Sequence, residues 1–250
     1  MQTYKKIIVA ALVLCTALPA SAENEGGLIV GLEAEKKVDK KLSFGIEADM
    51  RTRNNFKTMD RWNFGIGASY KFTKWLKADA GYNLLNQNYR EKINYNSSGS
   101  LNNWRPSYWG VKHRFHFSLT GTYKMTNGLK FSLRERWQYT YRPEKTVDRW
   151  DFDDEAWEEK VRSGKGKNQL RSRLQIAYDK KRALLTPYVS VELYNKMAIE
   201  KIRYTAGCDF NITKQHSLGI FYRYQNMKNV DEDDYDPNMH YLGLGYKFKF

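Results

Sequence analysis

His116 and Ser118 stand two residues apart, and so share one face of any extended strand, because successive side chains point opposite ways. Such a pair suits nucleophilic attack on an ester, the histidine activating the hydroxyl. No third, orienting member is evident, so a histidine satisfied inside a polar network is the simpler reading. A denser constellation surrounds the pair. Glu33, Glu35, Glu47, Asp49 and Asp79 occupy early segments, Lys112, Arg114, His116, Arg134, Arg136, Arg171 and Arg173 occupy middle ones, and Glu192 follows. Hairpin arithmetic about Asn127 places His116 nearly opposite Arg136; about Lys181 it places Glu192 near Arg171 and Arg173. Acids facing bases would either impose a transverse field on small polar solutes or plug the interior as an ion-pair network. The plug is preferred, and arginine suits both versions, because a guanidinium bridges several carboxylates at once. Two acidic runs remain, one with Asp151, Asp153 and Asp154, the other with Asp231, Asp233 and Asp234. Oxygen-rich runs can bind Ca²⁺ or bridge to lipopolysaccharide, but neither has the glycine and terminal glutamate of an EF-hand loop. They read first as solvated loops with no metal or cofactor, and Trp150 and Trp157 equally suit contact with a partner protein or glycan.

These side chains need strands to position them, and the chain supplies strands almost throughout. In residues 240–250, Leu242, Leu244, Tyr246, Phe248 and Phe250 alternate with Tyr241, Gly243, Gly245, Lys247 and Lys249. Sustained period-two alternation of this kind marks a strand with one apolar and one polar face. Ten earlier segments repeat the pattern, near residues 28–36, 42–51, 61–72, 76–84, 109–119, 131–141, 169–178, 186–194, 202–210 and 217–225. Glu135 breaks it on an otherwise apolar face, which a bulge or a local face switch would explain. Connections near Thr73, Asn127, Lys180 and Thr213 are short, whereas those near Asn96, Asp153 and Asp233 are long. Short turns at one end, long loops at the other and aromatic residues near strand ends describe a transmembrane β-barrel rather than a soluble sandwich. Eleven segments sit awkwardly beside the even numbers usual for such barrels. Twelve strands are expected, ten being the alternative. The ways out are a missed strand near residues 23–27, an N-terminus threading the lumen, or closure by a parallel pair.

The beginning of the chain agrees. Lys5 and Lys6 precede an apolar run and then Ala20-Ser21-Ala22, the form of a signal peptide cleaved near Ala22, which leaves one barrel domain over residues 23–250. Cys208 would then be the lone thiol, read as a small residue on a strand face. A formal net charge of +14 invites nucleic acid as a partner, but the basic residues are spread at strand spacing instead of gathered in a patch. The low mean hydropathy argues against spanning helices but leaves a barrel open, since only alternate residues meet lipid.

The runs WRPSYWGVKHRFHF, PYVSVELYN, RYTAGCDFNITKQHSLGIFYRYQ and HYLGLGYKF, with the paired Arg134/Arg136 and Arg171/Arg173, complete the picture. In that order and spacing the chain resembles an uncharacterised family of outer-membrane β-barrel proteins common in the Bacteroides group. The resemblance implies a small barrel in the outer membrane of a Gram-negative bacterium and carries no activity with it. Its partners would be outer-membrane lipids, lipopolysaccharide and the barrel-assembly machinery, which reads a terminal aromatic strand. A small pore or structural membrane protein with an Arg-rich lumen, not an enzyme, is the first expectation. A lipid-acting hydrolase using His116 and Ser118 is an alternative, since outer-membrane phospholipase A and lipid A deacylases place a histidine and serine similarly. A surface receptor working through the acidic loops is another.

Overall fold

In a computed structural model the chain is described over residues 24–180, 183–228 and 237–250. The expected leader, Lys181 and the run containing Asp231, Asp233 and Asp234 lie outside these residues. The chain begins with four antiparallel strands, β1 (Asn24–Lys37), β2 (Leu42–Arg53), β3 (Thr58–Lys71) and β4 (Leu76–Tyr89). Two short strands, β5 (Lys92–Tyr95) and β6 (Leu101–Arg105), leave the barrel before β7 (Tyr108–Lys124) and β8 (Leu129–Arg142) rejoin it. A second excursion, β9 (Lys145–Asp151) and β10 (Ala156–Arg162), precedes β11 (Lys165–Tyr178), β12 (Leu185–Asn195), β13 (Ile199–Asn211), β14 (His216–Met227) and β15 (Asn238–Lys249).

Eleven of the described strands close into a barrel in the order β1-β15-β14-β13-β12-β11-β8-β7-β4-β3-β2. Eleven therefore replaces the expected twelve or ten. The seam is a parallel pair, β1 against β15, in unbroken register from Asn24↔Asn238 to Glu35↔Lys249. Residues 24–27 form no additional strand; they lengthen β1. Every alternating segment expected from the sequence is a barrel strand. The long connections near Asn96 and Asp153, read as loops, are instead two hairpins joined through β6 and β9 into a four-stranded sheet, β10-β9-β6-β5. Their mixed polar composition hid them from a search for period-two apolar faces.

The alternation sorts the surfaces as expected. Leu242 is 55% exposed on the outside, whereas its neighbour Tyr241 is 5% exposed and points inward. Cys208 is half-buried on β13, on the same face as the exposed Tyr204. Glu135 keeps its register opposite Leu119 and Ser172 with no bulge. Its carboxylate accepts the Ser172 hydroxyl at 2.7 Å, so a polar cross-strand pair sits on the otherwise apolar outside. At the opposite face of the wall, Ile29, Met239 and Tyr241 pack with Phe221 as an apolar patch beside the seam.

Two glycines carry local geometry. Gly128 adopts φ +97° in the turn between β7 and β8, which an L side chain resists. At Gly243 a Cβ would lie 2.0 Å from Phe221 Cζ, so the ring occupies the space that the missing side chain leaves. Gly243→Val should therefore force Phe221 out of place and destabilise the folded chain by about 1–3 kcal/mol, the usual cost of overpacking. A urea unfolding midpoint equal to that of the unaltered protein, measured in the same detergent, would contradict this account of the seam.

Candidate functional site

The inward positions of β8, β11, β12 and β13 converge on one carboxylate. Glu192 accepts from Arg134 Nη2 at 2.5 Å, from Arg171 Nη2 at 2.9 and 3.0 Å, and from the Tyr194 hydroxyl at 3.0 Å. Tyr194, only 3% exposed, is itself enclosed by cations. The Arg171 and Arg203 guanidinium carbons lie 4.5 and 4.6 Å from its ring centroid, Lys201 Nζ lies at 4.6 Å, and Arg203 donates to its hydroxyl. An aromatic face attracts such cations, most strongly where water is excluded. The chain of contacts runs on from Arg171 to Gln138 at 3.1 Å and from Gln138 to Gln169 at 3.0 Å. Gln169 donates to Glu200, which also pairs with Lys167 at 2.7 Å.

A second set of contacts occupies the β2–β4 and β7–β8 side. Arg136 donates from Nε to Ser118 Oγ at 2.8 Å and from Nη2 to Asp79 at 3.3 Å, and His116 Nε2 lies 3.9 Å from the same carboxylate. Glu47 accepts from the Asn83 amide at 2.6 Å, and Asp49 from Asn63 at 2.7 Å and Arg51 at 3.2 Å. Ser118 is fully buried on the inner face. Among the described residues its hydroxyl bonds with Arg136, not His116. Register places Ser118 opposite Arg136 and His116 opposite Gln138, so the turn arithmetic was off by one pair. Arg173 is the register partner of Glu192, as expected, yet the ion pairs of Glu192 go to Arg134 and Arg171. The interior is thus not an acidic wall facing a basic one. Glu47, Asp49, Asp79 and Glu192 are each held locally by amide, hydroxyl or guanidinium groups, and Glu33 and Glu35 by the Lys247 ammonium.

Between these contacts and the long connections lies a cavity of about 460 Å³. Thirteen Arg or Lys residues line it against three carboxylates, Asp60, Glu91 and Glu200. Lys112 and Arg114 were expected inside and are part of this wall; Lys112 donates to Gln87 at 2.9 Å and Arg114 to the Thr140 hydroxyl at 3.1 Å. Arg51, Arg53, Arg61 and Arg203 were not singled out from the sequence. Strict alternation along β2, β3 and β13 puts Arg51, Arg61 and Arg203 on the inner face, and that was the available signal.

The sheet of β5, β6, β9 and β10 extends the wall outward, with Lys92, Ile93 and Arg105 reaching the cavity. Register aligns Ile93, Trp104, Trp150 and Trp157 in one row across its four strands. The ring centroids of Trp157 lie 5.7 Å from Trp104 and 5.5 Å from Trp150. Asp151 caps the turn between β9 and β10, accepting the backbone N–H groups of Asp153 at 2.9 Å and Asp154 at 3.4 Å. The Asp153 N–H, more than any other partner, holds its carboxyl below the usual range. Asp151, Asp153 and Asp154 therefore build a turn, and among the described residues no group of three or more potential ligands could hold a metal ion.

A family model described as "Protein of unknown function (DUF2490)" matches residues 30–236. Among solved structures, the chain is similar to the beta domain of the Bordetella autotransporter Brka, at 10% identity and a TM-score of 0.50. The likeness covers 84% of this chain and 82% of that one and concerns the fold. No protein with a curated description matches.

The Glu192 contacts have a measurable consequence. Glu192→Gln leaves Arg134 and Arg171 without their carboxylate in a nearly dry setting, a change that typically costs about 3–5 kcal/mol. Glu159→Gln, on exposed β10, should stay within about 0.5 kcal/mol. Denaturant unfolding of both variants tests this, and equal losses would remove Glu192 from the centre of the interior.

Proposed function

We propose that this chain, which belongs to the DUF2490 family of proteins of unknown function, is a small outer-membrane pore that favours anions. The observation that carries the reading is the imbalance of thirteen cationic side chains against three carboxylates around the cavity. A cleft lined by one sign of charge and walled by low-dielectric material concentrates ions of the opposite sign. The apolar outer surface would face lipid, and the long connections would face outward beside lipopolysaccharide, with the short turns in the periplasm. The terminal strand ending at Phe250 is the signal that the barrel-assembly machinery would read. The contacts around Glu192 and Asp79 narrow the lumen below the cavity, so conductance is expected to be low.

A second reading, a surface-binding module, is favoured by the row of Ile93, Trp104, Trp150 and Trp157, whose aromatic faces suit the C–H surfaces of a glycan. The lipid hydrolase gains no support, because Ser118 is buried in the interior and held by Arg136.

Planar-bilayer recording of the purified protein tests the pore. Small, steady, anion-selective steps are expected, with selectivity falling when the cavity-lining Arg61 and Arg114 are both changed to Gln. A silent barrel, or one selective for cations, sinks the reading. The binding module predicts instead that glycan-array binding by the full chain drops at least tenfold in Trp150→Ala/Trp157→Ala; unchanged binding would dismiss it.

A further inference from the structure

We infer that the cavity at the long-connection end is a binding site for a small hydroxylated ligand bearing two or more phosphate groups. The inference concerns the same cavity as the proposed pore but does not require that anything passes through.

Charge comes first. Like charges crowded beside low-dielectric walls repel one another, and burying them without counter-charge is costly. Some of the cations are already satisfied by protein groups, as Arg53 is by Asp60 at 3.5 Å and Lys167 by Glu200 at 2.7 Å. Arg61 and Arg114 have no ion-paired carboxylate among the described residues. Arg61, on β3, makes no hydrogen bond or ion pair among the described residues, and its Nε is buried with no partner. Arg114, on β7, has a hydroxyl partner in Thr140 and no carboxylate. Both line the cavity. A guanidinium presents a planar fork of donors that matches the oxygens of a phosphate.

Size and lining then narrow the ligand. About 460 Å³ falls within the range of small-molecule pockets and is far more than one inorganic phosphate needs. Even when Asp49, which pairs with Arg51 at 3.2 Å, and Glu25, which pairs with Arg90 at 2.7 Å, are counted with the three lining carboxylates, the cations remain in an excess that a single phosphate would not neutralise. Between the cations stand Gln87, Gln138, Thr140, Gln169 and Gln225, neutral groups that donate and accept, as sugar hydroxyls require. Tyr89 and Tyr241 add aromatic surface. Such a ligand has two sources, a free sugar bisphosphate or the phosphorylated sugar headgroup of a lipid, and the same donors would meet either.

The test is calorimetric titration of the full chain in detergent with fructose 1,6-bisphosphate, with fructose, and with detergent-dispersed lipid A. Saturable binding of the bisphosphate, of lipid A or of both is expected, with none of fructose; which one binds identifies the source. Arg61→Gln and Arg114→Gln should each weaken that binding at least tenfold, whereas Lys214→Gln, in the turn after β13, should leave it unchanged. Arg61→Lys, which keeps the charge but loses the fork, should lie between and guards against misreading a folding defect. The inference is overturned if neither phosphorylated ligand saturates, if fructose binds as well as its bisphosphate, or if folded Arg61→Gln and Arg114→Gln bind like the unaltered protein. A chain that binds but does not conduct would retain this site and lose the pore; one that conducts without binding would do the reverse.

Discussion

Parity governs this barrel. When strands alternate in direction, the first and last of an odd number run the same way, and only a parallel ladder can join them. The seam between β1 and β15 is that ladder, running unbroken from Asn24↔Asn238 to Glu35↔Lys249. Without it, two long edges would offer unpaired N–H and C=O groups to whatever surrounds them, a cost that neither lipid nor an apolar core tolerates. The inner lining near the seam differs from the rest. Ile29, Met239, Tyr241 and Phe221 form an apolar strip there, and Gly243 gives Phe221 its place. Towards the short-turn end the seam is charged as well, with Lys247 pairing with Glu33 and with Glu35 at 3.3 Å.

The rest of the lining illustrates how many cations a small lumen can hold. Eight strands enclose a space that side chains just fill, and eleven enclose a little more. The surplus is divided along the axis. In one part, Glu192 and Tyr194 gather Arg134, Arg171, Arg203 and Lys201 so closely that each positive charge has a carboxylate, a hydroxyl or an aromatic face beside it. In the other, cations outnumber carboxylates and an open cavity remains. Compact packing and a cation-rich cavity are thus two results of one excess of arginine and lysine.

Much of this was legible in the chain. Alternation such as that of Leu242 to Phe250 located every barrel strand and the inward face of each, because only the outward face must be apolar and the period is short. Strand number was less secure, since a preference for even counts pulled the expectation to twelve while the residues themselves spelled eleven. Polar hairpins such as β5–β6 escaped notice because both of their faces are mixed. Register between β7 and β8 was missed by one pair, enough to exchange the partners of His116 and Ser118. The deeper failure concerns contacts that the spacing along any one strand does not reveal. Nothing in the spacing of Tyr194 announces a ring enclosed by three cations, and Arg61 looks like any inward arginine until its surroundings are known. Glu135 is the converse case, an apparent violation explained by a single serine on the adjacent strand.

The parallel seam also separates the two ends of the barrel sheet. In a barrel with an even number of strands, the first strand begins beside the end of the last, and a few linking residues suffice to rejoin them and reopen the chain elsewhere. Here β1 begins at the mouth carrying the long connections, and β15 finishes at the mouth carrying the short turns. A circular permutant would need a tether running the full height of the wall, either through a lumen crowded with arginine or across the outer surface. Chain order in this fold is consequently hard to rearrange, and any reshuffled version would have to change its strand count first.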